Sequence, residues 1–125
     1  MVLRRAMLRI LLAEDDDALR SLLGRALVKA GYDVISFANG QDAYERLKEE
    51  PFRLLLTDIT MPKMDGIELA RRASALDPDL KIVFITGFAA VTLNTDTGAS
   101  RDMHVLSKPF HLRNLVSEVD RLLAA

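Results

Sequence analysis

Five side chains in this 125-residue sequence could share one chemistry: Glu14, Asp15, Asp58, Thr86 and Lys108. Each stands where an apolar run gives out. "ILLAEDD" ends in acids, "LLLTD" in Asp58, "VFIT" in Thr86 and "VLSK" in Lys108. Taken singly, each has a plain reading. An Asp after a strand is usually a turn former or a helix cap, a Thr there a β-former, and a Lys a solvated charge. Together they are harder to dismiss. Three carboxylates brought to one place repel by roughly 1–4 kcal/mol per pair at ~4 Å, and a fold bears that most readily with a cation among them. The ligands on offer are all oxygens, with no His or Cys in the set, which selects Mg²⁺ or Mn²⁺ over Zn²⁺. Mg²⁺ keeps several waters and shares its shell with phosphate. Lys108 can then neutralise one phosphoryl oxygen and Thr86 hydrogen-bond another. The chemistry indicated is transfer of a phosphoryl group onto a carboxylate.

Such a cluster needs elements that bring distant residues to one edge. Leu8 to Ala13 is an apolar run broken by Arg9 and predicts a buried strand. From Ala18 to Ala30, apolar residues at 19, 22, 23, 26 and 27 follow helical spacing, and Gly31 closes the helix. Strands are predicted again at Tyr32 to Phe37, Leu54 to Thr57, Lys81 to Thr86 and His104 to Ser107. Helices are predicted at Gln41 to Glu49 and at Gly66 to Leu76, the latter offering Ile67, Leu69, Ala70, Ala73 and Leu76 for burial. A last amphipathic helix carries Leu112, Leu115, Val116, Val119, Leu122 and Leu123. Ala89 to Met103 is polar and β-branched, and predicts a short helix near 88–94 followed by a mobile loop. This alternation predicts an α/β fold, a doubly wound five-stranded parallel sheet with helices on both faces. Functional groups in such sheets gather at the carboxyl ends of the strands, where all five residues stand.

Composition narrows the classes. A net charge of −1 makes no electrostatic case for nucleic acid or an anionic membrane. The absence of cysteine excludes disulfides and thiolate metal sites. The start, "MVLRRAMLRILLAEDDD", runs from apolar residues straight into acids with no small-residue cleavage site, so it is not read as a signal peptide. Met7 is an alternative start, residues 1–7 are expected to form a disordered extension, and 8–125 a single domain in the cytoplasm.

"ILLAEDD", "LLLTDITMPKMDG", "FITG" and "LSKPF", in that order and spacing, resemble the motifs of the response-regulator receiver domain of two-component signalling. The resemblance covers nearly the whole chain from Leu8. It implies a flavodoxin-like sheet of order 2-1-3-4-5, with Asp58 as phosphoacceptor, Asp15 a direct Mg²⁺ ligand and Glu14 a ligand largely through water. It also implies the Thr60 backbone carbonyl as a further ligand, Thr86 as a switch hydroxyl with room left by Gly87, and Lys108 as the phosphoryl counter-ion before a cis bond to Pro109. Pro62 and Asp65-Gly66 fix the loop after the acceptor. The implied donor is a histidine kinase or histidine phosphotransferase, and no enzymatic activity is implied beyond the chain's own phosphorylation and dephosphorylation. The family usually carries Tyr or Phe three residues before the lysine. Val105 stands there instead, so the usual coupling of the threonine to an aromatic is not carried over.

"DGIELARRASALDPDLKIVFITGFAA" and "VLSKPFHLRNLVSEVDRLLAA" are most similar to single-domain cell-cycle receivers. That narrower likeness implies a phosphorylation-controlled adaptor for the ClpXP protease, recruited to a cell pole. A phosphate shuttle between histidine-containing proteins is the alternative. The terminal Leu-Leu-Ala-Ala reads equally as a tail recognised by ClpX or as the end of a helix. Two rivals lie outside the family. An aspartate-nucleophile phosphatase needs a second acid two residues after its nucleophile, where Thr60 stands here. A nucleotide-binding module needs phosphate-cradling glycines after the first strand, where acids stand.

Overall fold

The structure, a computed structural model, describes residues 8–86, 103–107 and 111–124. The central strands are apolar on both sides, and the chain covers both. Five strands, β1 (Arg9–Ala13), β2 (Asp33–Phe37), β3 (Leu54–Asp58), β4 (Lys81–Thr86) and β5 (Met103–Ser107), form one parallel sheet of order β2-β1-β3-β4-β5. The described helices are α1 (Asp17–Lys29), α2 (Gly40–Glu49), α3 (Gly66–Leu76) and α4 (Leu112–Ala124). The fold class is the one the alternation predicts, and the strand order the one the resemblance implies. The helix expected at 88–94, the loop after it, the 1–7 extension, Gly87, Lys108, Pro109 and Ala125 lie outside the described residues.

Side chains alternate along each strand and so divide into two cores. Leu11, Leu55, Ile82 and Phe84 face α2 and α3, joined by Ala43, Leu69 and Ala73. Ile10, Leu12, Leu54, Leu56, Val83 and Ile85 face α1 and α4, joined by Leu23, Leu27, Leu115 and Val119. Burying each such side chain contributes about 1.5–3 kcal/mol relative to exposure, so β1 and β3, covered on both faces, are the anchored centre.

Local signals set the helix limits. Asp16, Asn39 and Asp65 accept the backbone N–H groups of Leu19, Asp42 and Glu68, capping α1, α2 and α3. At the end of α1, Gly31 takes φ 106°, its N–H donating to Val28 O while Tyr32 N donates to Leu27 O. That left-handed glycine and its pair of reaching-back bonds stop the helix.

Two apolar residues of the helical stripes are outside. Leu22 is 44% and Leu76 47% exposed. Leu22 sits at the rim of the stripe centred on Leu23 and Leu27, and Leu76 is the last residue of α3, where the chain leaves the sheet. Phe37 is half-buried, with the Arg46 guanidinium 5.5 Å over its ring. Among the described residues no helix is long and apolar enough to cross a membrane.

Candidate functional site

Register brings the acids together. Ala13 of β1 pairs with Thr57 of β3, so Glu14 and Asp58 lie side by side just as the two strands emerge. Carboxylate oxygens of Glu14, Asp15 and Asp58 all lie within 4.8 Å of one another. Glu14 is 0% and Asp58 8% exposed, whereas Asp15 is open to solvent. At that spacing each charged pair repels by about 1–3.5 kcal/mol between effective dielectrics of 80 and 20. The donor set is oxygen throughout and includes no imidazole or thiolate, so it fits a hard divalent cation.

Asp58 is held by its two neighbours in sequence, one of which is tied in turn to β4. Its Oδ1 accepts the Ile59 N–H at 2.7 Å, and that same N–H lies 3.2 Å from Ile85 O of β4. Its carbonyl oxygen accepts from Thr57 Oγ1 at 2.8 Å. Gly66 N donates to Ile59 O at 2.7 Å and closes the loop that follows. A Cβ on Gly66 would fall 1.9 Å from Asp58 O, so only glycine lets α3 begin this close to the acceptor strand. Within the loop Thr60 is exposed, Met61 and Met64 are buried, and Lys63 adopts a left-handed φ of 71°. Such a φ is uncommon for a residue with a side chain; the only hints of it in the sequence are Pro62 just before it and Gly66 three residues on.

Thr86 ends β4, 1% exposed, one residue past Ile85, the partner of Asp58. It pairs with Ser107, the last residue of β5. Lys108 follows Ser107 in sequence. Four of the five chemistry-bearing residues therefore stand at the carboxyl ends of adjacent strands or directly after them, as expected, and the fifth lies outside the described residues. Val105 is half-buried against the α2–α3 core. His104 Nδ1 lies 3.5 Å from Glu118 Oε2 of α4.

Sequence reasoning passed over Arg20. Its Nη1 donates to the Glu14 carbonyl at 2.9 Å and its Nη2 to Asp17 Oδ1 at 2.7 Å. The available signal was a cation three residues after the acidic run, within the first turns of a helix.

Comparison with known proteins agrees with this geometry. The response regulator receiver domain family matches residues 10–120. The response regulator receiver protein CpdR of Brucella abortus is 69% identical over 119 residues, covering 95% of this chain and 99% of that protein. A response regulator receiver protein from Sinorhizobium medicae superposes with a TM-score of 0.86 at 34% identity, over 94% of this chain and 95% of that one. The response regulator TrrA of Thermotoga maritima, solved in complex with Mg²⁺-BeF, superposes at 0.83 with 28% identity, over 93% and 99% of the two chains. A parallel sheet of this order, with acids gathered where β1 and β3 emerge, is shared by fold and by sequence: the chain belongs to the response-regulator receiver family, the phosphoacceptor domains of two-component signalling.

Proposed function

We propose that Asp58 takes a phosphoryl group from the phosphohistidine of a histidine kinase or histidine phosphotransferase. The observation that carries this is the group of three carboxylates within 4.8 Å, with Asp58 held at the strand tip. An Asp58 oxygen attacks phosphorus as the P–N bond breaks, and the electron pair leaves with the imidazole nitrogen. Glu14, Asp15, Asp58 and the Thr60 backbone carbonyl are the proposed holders of Mg²⁺. When bound, the ion neutralises charge building on the phosphoryl oxygens. Asp15, the exposed member, is assigned the direct contact and the buried Glu14 the contact through water. Thr86 supplies a hydroxyl to one phosphoryl oxygen and Lys108 an ammonium to another. The same residues promote hydrolysis of the acyl phosphate, so the receiver, assigned to residues 8–125, acts on itself and on no other substrate.

Output is assigned to protein contacts. The likeness to single-domain cell-cycle receivers, and the 69% identity to CpdR of Brucella abortus, support a phosphorylation-controlled adaptor for ClpXP in the cytoplasm, recruited to a cell pole. With Mg²⁺ and a small acyl phosphate, intact-mass analysis should find one added phosphoryl group on the wild type and none on Asp58→Asn. A stable adduct on the Asn variant would overturn the assignment of Asp58. Immobilised ClpX should retain Asp58→Ala and the unphosphorylated wild type, and release the wild type on phosphorylation. Equal retention of both forms would remove the adaptor reading and leave the acceptor reading standing.

A further inference from the structure

Glu14 to Asp17 are four consecutive acids, and two of them face Asp58. Such a run repels itself, and a loop carrying it relaxes by splaying unless its backbone is tied. It is tied at several points. Glu14 N donates to Phe37 O of β2 at 3.0 Å, and Asp16 N donates to Glu14 Oε2 at 3.0 Å. Arg20 adds a third tie of a different kind. Its guanidinium spans the loop from inside α1, with Nη1 on the Glu14 carbonyl at 2.9 Å and Nη2 on Asp17 Oδ1 at 2.7 Å. The Arg20 side chain is 23% exposed, the Asp17 side chain 87%.

The carbonyl that Arg20 grips belongs to the peptide unit between Glu14 and Asp15. With Glu14 N and Asp16 N held by their own bonds, holding that plane as well restricts ψ of Glu14 and φ of Asp15, and so the direction in which both carboxylate stems leave the chain. A cation beside a site meant for Mg²⁺ is otherwise a liability, because its charge repels the ion. A planar fork with several donors can hold a carbonyl and a carboxylate together, which an ammonium does less well.

We propose that Arg20 is a positioning residue for the metal site, clamping the Glu14–Asp15 peptide so that both carboxylates meet Asp58. The inference rests on the reading of that edge as a Mg²⁺ site. Its effect passes through geometry and runs against its own charge, so geometry and charge make opposite predictions for substitution.

The test compares wild type, Arg20→Lys, Arg20→Gln and Asp17→Asn by Mg²⁺ titration calorimetry at fixed ionic strength. Thermal melting and hydrogen exchange at the Asp15 and Asp16 amides are followed in Mg²⁺-free protein. Both Arg20 variants should bind Mg²⁺ roughly tenfold more weakly, the scale typical when a partner that orients metal ligands is lost. Their Asp15 and Asp16 amides should exchange faster without metal while the melting temperature changes little. Asp17→Asn, which leaves the Glu14 carbonyl bond in place, should bind within about twofold of wild type, since exposed charge pairs contribute little. A pure charge effect gives the reverse, with Arg20→Lys binding like wild type and Arg20→Gln more tightly; either result overturns the proposal. Should Arg20→Gln fail to fold, Arg20→Lys, which keeps charge and stem, decides. Wild type that binds no Mg²⁺ would sink the reading of the site and the inference with it, whereas tight wild-type binding unaffected in Arg20→Lys sinks the inference alone.

Discussion

Asp15 is the member of the acid cluster that meets solvent, while Glu14 and Asp58 are buried beside it. Removing its charge relieves two repulsive pairs, each of about 1–3.5 kcal/mol between effective dielectrics of 80 and 20. Asp15→Asn should therefore melt at a higher temperature than wild type in Mg²⁺-free buffer, and bind Mg²⁺ more weakly by calorimetry. Unchanged Mg²⁺ binding would show that Asp15 is not a ligand. At this scale the sequence was readable because each acid ends an apolar run, and a parallel strand has one emerging end. Glu14, Asp15, Asp58 and Thr86 follow from that rule with no knowledge of contacts. Arg20 and Lys63 do not, because a guanidinium on a carbonyl and a left-handed φ depend on where the backbone turns in space. Hydrophobic pattern carries no trace of either.

Helix α2 meets the acceptor loop through a glycine. A Cβ on Gly40 would lie 2.1 Å from the Met64 carbonyl oxygen, whereas one on Gly24, in mid-α1, would find nothing nearer than Leu12 Cδ2 at 3.9 Å. Gly24→Ala should stabilise the protein by about 0.5–1 kcal/mol through helix propensity. Gly40→Ala should destabilise it by about 2 kcal/mol or more, because the contact is backbone and must shift. Denaturant midpoints at unchanged m-value measure both; a neutral Gly40→Ala would mean that α2 moves freely over the loop. At the opposite edge of the sheet, Arg9 at the start of β1 bonds Asp33 of β2 at 3.0 Å and also Glu50, the C-cap of α2. The hydrogen bond from Arg9 is the main cause holding the Glu50 carboxyl below its ordinary 4.5, with Arg46 assisting. A carboxyl lowered on folding stabilises the protein above that value, and the contribution disappears as pH falls through the depressed one. The stability difference between wild type and Glu50→Gln, measured in urea, should thus be present at pH 7 and shrink as pH falls below 4.5 and through the depressed value. A difference that does not vary with pH across the acid range would assign it to packing instead. Among the described residues, helix and strand positions were legible to within a residue or so, since both cores alternate cleanly along the strands. Leu76, offered for burial, is half exposed because periodicity gives the angle of a residue on its helix and says nothing of how far the sheet extends beneath it.

Taken whole, the molecule concentrates its electrostatic strain. The chain carries a formal net charge of −1, so general self-repulsion contributes little to its stability. Yet three carboxylates share one edge, two of them inside the fold, on strands covered by apolar side chains on both faces. A core anchored in this way can hold the acids together without metal, which leaves a preformed site whose occupation stabilises the folded state alone. Linkage then sets the size of the effect: Mg²⁺ at ten times its dissociation constant should add about 1.4 kcal/mol, a rise of roughly 4–8 °C in melting temperature for a domain near this size. Sodium chloride at matched ionic strength screens exposed charges equally well, but it cannot bridge buried carboxylate oxygens, so it should shift the melt far less. Asp58→Asn, which removes a carboxylate from the edge, should lose most of the Mg²⁺ response while melting no lower than the wild type without metal. Equal shifts from the two salts in wild type would place the effect in general screening and refute a specific site at the ends of β1 and β3.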